Sequence, residues 1–128
     1  MSYYLSKIVP GEFADVVSRV KEALAREGFG VLTDIDVQAT LKTKLKVEFP
    51  EYRILGACNP TLAHRALLKE DKLGVLLPCN VIVRQSSPGR VEIAAIDPVT
   101  SLERTGNTEL NAVAAEVRER LQRAVDTA

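Results

Sequence analysis

The sequence has no tryptophan, a single histidine and only two cysteines, and it carries no net charge. So few histidine and cysteine residues argue against a structural zinc site, which usually takes four nitrogen or sulfur ligands. The 17 Lys+Arg residues balance the 17 Asp+Glu residues, so no overall field attracts nucleic acid or an anionic membrane surface. Aromatic residues make up only 5% of the chain, which leaves few side chains on which bases could stack. We therefore predict no nucleic-acid partner, no metal and no cofactor.

Long hydrophobic runs are also missing, since none approaches the roughly 18 apolar residues of a membrane span. Residues 1–7 lack the charged-then-apolar pattern of a signal peptide. We therefore expect no membrane partner and a cytoplasmic location. Thiols stay reduced there, so Cys58 and Cys79 are expected to be free or transiently paired rather than joined in a structural disulfide.

The length and composition favour one folded unit. At 128 residues and 46% hydrophobic content, the chain can bury a sizeable core without a metal or disulfide. We therefore predict a single domain over residues 1–128.

The spacing of apolar residues switches repeatedly between the two-residue period of strands and the 3.6-residue period of helices. It predicts the order β-α-β-α-β-α-β-β-α. A hairpin over residues 80–96, with a turn at residues 86–89, favours a largely antiparallel sheet with helices on one face. The predicted class is therefore α+β. Residues 81–83, Val-Ile-Val, do not alternate, which predicts a central strand buried on both faces.

The final helix is predicted from an apolar stripe that begins at Leu110 and continues through Val113, Val117 and Leu121. This stripe is expected to pack on the sheet. Because Leu110 lies near the start of the helix, Val117 and Leu121 are expected to be the most deeply buried.

Two Cys-Asn dipeptides are the most suggestive chemical feature. Asn59 is a good helix N-cap and Pro60 is tolerated at a first helical position, so a helix is predicted to begin directly after Cys58. The partial positive charge of that helix end would stabilise a thiolate on Cys58. Twenty residues separate Cys58 from Cys79, which is too many for a CxxC redox motif.

A plainer interpretation is that both cysteines are small buried apolar residues. The neighbouring asparagines favour a shared pocket, because their amides need hydrogen-bond partners. His64 could orient or deprotonate Cys58, although a solvent-facing histidine is favoured. Asp97, followed by Pro98, could supply a carboxylate, although Asp-Pro is first a turn signal.

The two motifs in their context resemble the family called domain of unknown function 302. The similarity is carried by the segments at residues 30–37, 55–60 and 76–81 and by Asp97-Pro98, and it extends over nearly the whole chain. It implies a curved antiparallel sheet embracing helices, grouped with TATA-binding-protein-like folds, and it implies no activity. The signature positions that it implies are Cys58, Asn59, Pro60, Pro78, Cys79, Asn80 and Asp97.

Three functions are compatible with these features. The first is a binding module with a small-ligand pocket near the two motifs, for which the candidate residues are Cys58, Asn59, Pro60, His64, Pro78, Cys79, Asn80 and Asp97. The second is thiol chemistry at the two cysteines: persulfide transfer, binding of a soft metal such as Cu(I), or disulfide cycling. The third is a structural or interaction domain that forms a homodimer. The sequence leaves open whether the protein is an enzyme.

Overall fold

The computed structural model describes residues 2–128. Its strands are β1 (Tyr4–Pro10), β2 (Gly30–Asp36), β3 (Tyr52–Cys58), β4 (Cys79–Ser87) and β5 (Arg90–Ile96). They form a five-stranded antiparallel sheet in the order β1-β5-β4-β3-β2. The predicted α+β class and the antiparallel hairpin are therefore confirmed.

Five helices accompany the sheet: α1 (Phe13–Arg26), α2 (Val37–Leu45), α3 (Pro60–Lys69), α4 (Pro98–Leu102) and α5 (Asn111–Thr127). Short 3-10 turns lie at Leu73–Leu76, Glu103–Thr105 and Thr108–Leu110. The predicted order of elements is confirmed, with α4 as an addition. This five-residue helix escaped prediction because Asp97-Pro98 also fits a turn. None of the described helices is long and apolar enough to cross a membrane.

The larger part of the core lies between the sheet and two helices, α1 and α5. Helix α1 buries an apolar face at i, i+3, i+4 and i+7 spacing, from Phe13 through Val20 to Leu24. Gly28 follows with a φ of +85°, which a residue with a side chain rarely adopts. The chain can thus turn directly from α1 into β2.

The central strand β4 has one buried face. Val81 and Val83 are 1% and 0% exposed, whereas Ile82 between them is half-buried. The prediction that residues 81–83 lie in a central strand is confirmed, and the prediction of burial on both faces is wrong. Ile82 keeps contact with solvent because the helices pack on the opposite face of the sheet.

A second, smaller cluster of buried apolar residues lies beside the first, and we call it the helical cluster. It comprises Leu62, Ala66, Leu73, Leu102, Leu110, Val113 and Ala114. Of the predicted stripe on α5, Leu110 and Leu121 are 1% and 0% exposed, whereas Val117 is only partly buried. The expected deep burial of Val117 is therefore wrong, because this side chain borders a cavity.

Candidate functional site

The two Cys-Asn motifs meet at one end of the sheet. Strand β3 ends at Cys58 and β4 begins at Cys79, and the antiparallel register places Ala57 opposite Cys79. On the other side of β3, Cys58 lies opposite Gly30, where β2 begins. The end of each strand therefore lies beside the start of its neighbour, which brings distant parts of the chain together.

A cavity of about 50 Å³ lies at this end of the sheet, next to the helical cluster. Its walls are almost entirely apolar and come from strand ends, α3, α4, α5 and the turn before β4. The lining residues are Phe29, Ala57, Cys58, Asn59, Leu62, Ala63, Ala66, Leu73, Leu76, Leu77, Pro78, Cys79, Ile96, Pro98, Ser101, Leu102, Val113 and Val117. Both cysteines are free and half-buried, so two thiols from neighbouring strands border one small apolar space.

Asn59 contributes a buried polar side chain to the wall and is only 7% exposed. Its Oδ1 accepts a hydrogen bond from the Leu62 amide at 3.2 Å and caps α3, with Pro60 in the first turn. A Cβ at Gly28 would come within 2.9 Å of Asn59 Nδ2. The glycine thus leaves room for the asparagine amide beside the turn that follows α1.

Asp97 lies behind the wall formed by α4. It is 6% exposed, and its Oδ1 accepts a hydrogen bond from the Val99 amide at 3.0 Å. Its backbone amide donates to the Tyr3 carbonyl at 2.8 Å. Asp97 therefore fixes the start of α4, and the next residue, Pro98, lines the cavity with Ser101 and Leu102.

Pro78 reaches the cavity by packing closely over β3. A Cβ on Gly56 would overlap Thr33 Oγ1 and would lie 2.8 Å from Pro78 Cγ. The peptide bond between Leu77 and Pro78 is cis. Only a glycine at position 56 lets the proline ring approach the strand in this way, directly before Cys79.

The other candidates lie outside the cavity. Pro60 is exposed in the first turn of α3, and His64 is exposed farther along the same helix. Asn80 is exposed on the open face of the sheet, where it lines a groove with Tyr4 and Tyr52. The structure therefore brings Cys58, Asn59, Pro78 and Cys79 to the cavity, with Asp97 behind its wall.

Most of the residues that line the cavity were not predicted from the sequence. Ser101 lies on α4, which was not predicted, and its Oγ donates to the Pro98 carbonyl at 3.4 Å. Leu62, Leu73 and Val113 also line the space. Their apolar spacing signals only that each is buried, and no local signal shows that they surround the same cavity.

The environment of Cys79 favours the protonated thiol. Burial raises the pKa of Cys79 from 9.0 to about 11, and charge on Cys58 adds to the rise. At neutral pH the Cys79 sulfur therefore stays uncharged and serves as a polarisable apolar surface. The cavity thus presents a neutral wall at this cysteine.

Comparison with known proteins identifies the family of this chain. No curated protein matches it significantly. It is similar to a solved protein described as an uncharacterized conserved protein DUF302 from Bacillus stearothermophilus, with a TM-score of 0.92 and 29% identity. The alignment covers 99% of this chain and 98% of that chain. The model of the family described as domain of unknown function DUF302 matches residues 5–128, which include both Cys-Asn motifs and Asp97. The chain therefore belongs to the DUF302 family.

Proposed function

We propose that the protein binds a small ligand whose short apolar end occupies the cavity bordered by Cys58 and Cys79. The observation that carries this proposal is an apolar space of about 50 Å³ at the end of the sheet. Protein interiors are normally close-packed, and an unfilled space lowers stability. A ligand that fills the space would supply the missing contacts and offset this loss of stability.

The size of the cavity limits the ligand. A water-sized group needs roughly 10–15 Å³ of such space, so about 50 Å³ accommodates about three to five groups of that size. Pockets that enclose whole drug-sized molecules measure about 300–1,000 Å³. The enclosed part of the ligand is therefore a short chain, and the rest of the molecule stays outside.

The chemistry of the walls limits the ligand further. A charged group entering an apolar space would lose its hydration without gaining partners. At the wall, Asn59 Oδ1 already accepts a hydrogen bond from the Leu62 amide, so this oxygen is not free to bind a cationic group. The enclosed end is therefore an uncharged, aliphatic or thioether-like chain that packs against the sulfur of Cys79.

The raised pKa of Cys79 also bears on the thiol alternatives. Cu(I) binding by both sulfurs requires two thiolates, and a disulfide between Cys58 and Cys79 forms only if Cys79 loses its proton in one of the steps. With its pKa near 11, Cys79 holds its proton at neutral pH and opposes both reactions. A persulfide on Cys58 alone needs only one reactive thiol, so its test is the alkylation rate of Cys58 described below.

A methyl-resolved NMR titration tests the ligand proposal. The probes are 1-butanol, pentanoate and butylamine, which share a butyl chain and differ in the charge of the head group. At least one of them should shift the methyl signals of Leu62, Val113 and Val117, which line the cavity. Methyl groups of Val16 and Val83, buried elsewhere in the core, should not move.

A variant in which a larger side chain fills the cavity provides a second test, with a matched control. Ala63 lines the space and is only half-buried, so Ala63→Leu should occupy it and remove the shifts. Ala112→Leu adds the same side chain at an exposed position of α5 and should leave them unchanged. The proposal is wrong if no probe moves the lining methyls, or if the shifts persist in Ala63→Leu.

A further inference from the structure

Helix α2 is formed although none of its nine residues is buried. Isolated helices shorter than about 12–15 residues are marginal in water, because most helical stability in proteins comes from packing. The N-cap bond from the Ala39 amide to Asp36 Oδ1, at 2.9 Å, offsets only part of this deficit. Only Val37, Gln38 and Leu41 are half-buried, where α2 contacts β3, and the other six residues of the helix are exposed.

Exposed apolar side chains are concentrated around this helix. Five of the eleven large hydrophobic residues that are exposed among residues 2–128 lie between positions 32 and 49. Leu45, Val47 and Phe49 are 64%, 42% and 38% exposed at the end of α2 and in the segment that follows it. We call residues 42–51 the α2 surface. A patch of this kind is typical of an interaction site.

The charges of the α2 surface are divided along the chain. Its first half carries Lys42, Lys44 and Lys46, and its second half carries Glu48 and Glu51. Within residues 2–128, the ion pairs formed by the protein include none of these five side chains. The α2 surface thus has a basic half and an acidic half, both uncompensated, on either side of its apolar side chains.

We propose that the α2 surface binds a second copy of this chain across a two-fold axis. A two-fold axis perpendicular to residues 42–51 brings the two identical surfaces together with their chain directions reversed. The basic half of each copy then faces the acidic half of the other, while Leu45 and Val47 of both copies meet at the centre. A partner of one charge sign would oppose one half of this surface, whereas a second copy complements both.

The position of this interface leaves the cavity accessible. Strand β2 begins at Gly30, opposite Cys58, and ends at Asp36, directly before α2. A strand of seven residues spans about 23 Å. The interface and the cavity therefore lie at opposite ends of the sheet, and the inference stands independently of the proposed ligand.

Analytical ultracentrifugation of the full chain tests the proposal. The native protein should sediment with twice the mass of one chain, and Leu45→Glu should raise the dimer dissociation constant by about tenfold or more. Leu68→Glu, at a side chain on α3 that is 75% exposed, is the matched control and should remain dimeric. Val47→Glu repeats the test outside any helix or strand, so that a failure of α2 to fold cannot imitate the result.

Charge reversal tests the two-fold arrangement itself. Lys42→Glu with Lys44→Glu gives an acidic surface, and Glu48→Lys with Glu51→Lys gives a basic one. Each double variant should be monomeric alone, and an equimolar mixture should form mixed dimers. A monomeric native protein, equal weakening by Leu45→Glu and Leu68→Glu, or no association in the mixture would each overturn the proposal.

Discussion

Arg118 on α5 donates a hydrogen bond from Nε to Asp97 Oδ2 at 3.1 Å and ties the last helix to the end of β5. The carboxylate side chain is only 8% exposed, whereas the arginine side chain is 43% exposed. The same carboxylate also accepts the Val99 amide, so one side chain anchors both α4 and α5. The α4 wall of the cavity therefore depends on a residue that does not itself line the space.

Asp97→Ala should lower the free energy of unfolding by about 1–3 kcal/mol, because it removes a helix cap and leaves Arg118 without its partner. Asp97→Asn keeps an oxygen for the Val99 amide and should cost less. Urea denaturation at neutral pH measures both. Asp71→Ala, at a side chain that is 88% exposed, is the control and should change little. If Asp97→Ala were as stable as the native protein, the proposed role of Asp97 in anchoring α4 and α5 would be wrong.

Leu121→Ala should lower the free energy of unfolding by about 2–5 kcal/mol, because this side chain of α5 is fully buried in the core and its removal leaves a cavity. Val117→Ala should cost less, because Val117 already borders an empty space. Thermal unfolding of the two variants compares them directly. Equal losses would mean that Val117 is packed as tightly as Leu121.

Gly56→Ala should destabilise the protein by about 1–3 kcal/mol, because a methyl group has no room between Thr33 and Pro78. Gly30→Ala is the matched control, because a Cβ there meets nothing within 4 Å. It should be neutral or slightly stabilising. Chemical denaturation gives both values, and a tolerated alanine at position 56 would show that the Pro78 ring can move away.

The raised pKa of Cys79 predicts a loss of stability in alkali. Burial favours the neutral thiol, so the folded state binds this proton more tightly than the unfolded state. The resulting stability is present below pH 9.0 and is lost as the pH rises through about 11, by up to about 2–3 kcal/mol. Between pH 9.0 and about 11, the free energy of unfolding measured with urea should depend less on pH in Cys79→Ala than in the native protein. Cys58→Ala should keep most of the native slope, and identical slopes in all three proteins would refute the shift.

Near neutral pH, iodoacetamide should modify Cys58 faster than Cys79, because Cys79 remains a thiol. Peptide mass mapping over time gives both rates. Asn59→Ala removes the oxygen that caps α3, should cost about 0.5–2 kcal/mol and should slow the reaction at Cys58. If neither cysteine reacts before the protein unfolds, both are packed side chains and the persulfide alternative is excluded.

The fold was predictable where local signals agree with tertiary packing. The hairpin turn and the apolar periods of α1 and α5 predict the order and class of the elements. Helix α4 has only five residues, too few to establish a period. The partial exposure of Ile82 depends on which face of the sheet the helices cover, and the sequence of β4 alone does not contain that information.

The site was predictable only in part, for geometric reasons. The cap at Asn59 is a local signal, and the structure contains it. Successive residues of a strand face opposite sides of a sheet, so Cys79 packs against the core while Asn80 lies on the open face. A motif of two adjacent residues therefore divides between two surfaces. The rest of the wall is assembled from distant segments, and its members become neighbours only after folding.

The helical cluster beside the cavity contains no residue from a strand. Its members lie on α3, on short helical turns, on α4 and on the first part of α5, whereas the sheet is held by its own ladder of hydrogen bonds. Units of a protein that share few cooperative contacts open at different free energies. Helices α3 and α4, which contribute no buried residue to the core beneath the sheet, should therefore open and reclose while the sheet stays intact. Amide hydrogens of α3 and α4 should therefore exchange with solvent faster than those of the central strands.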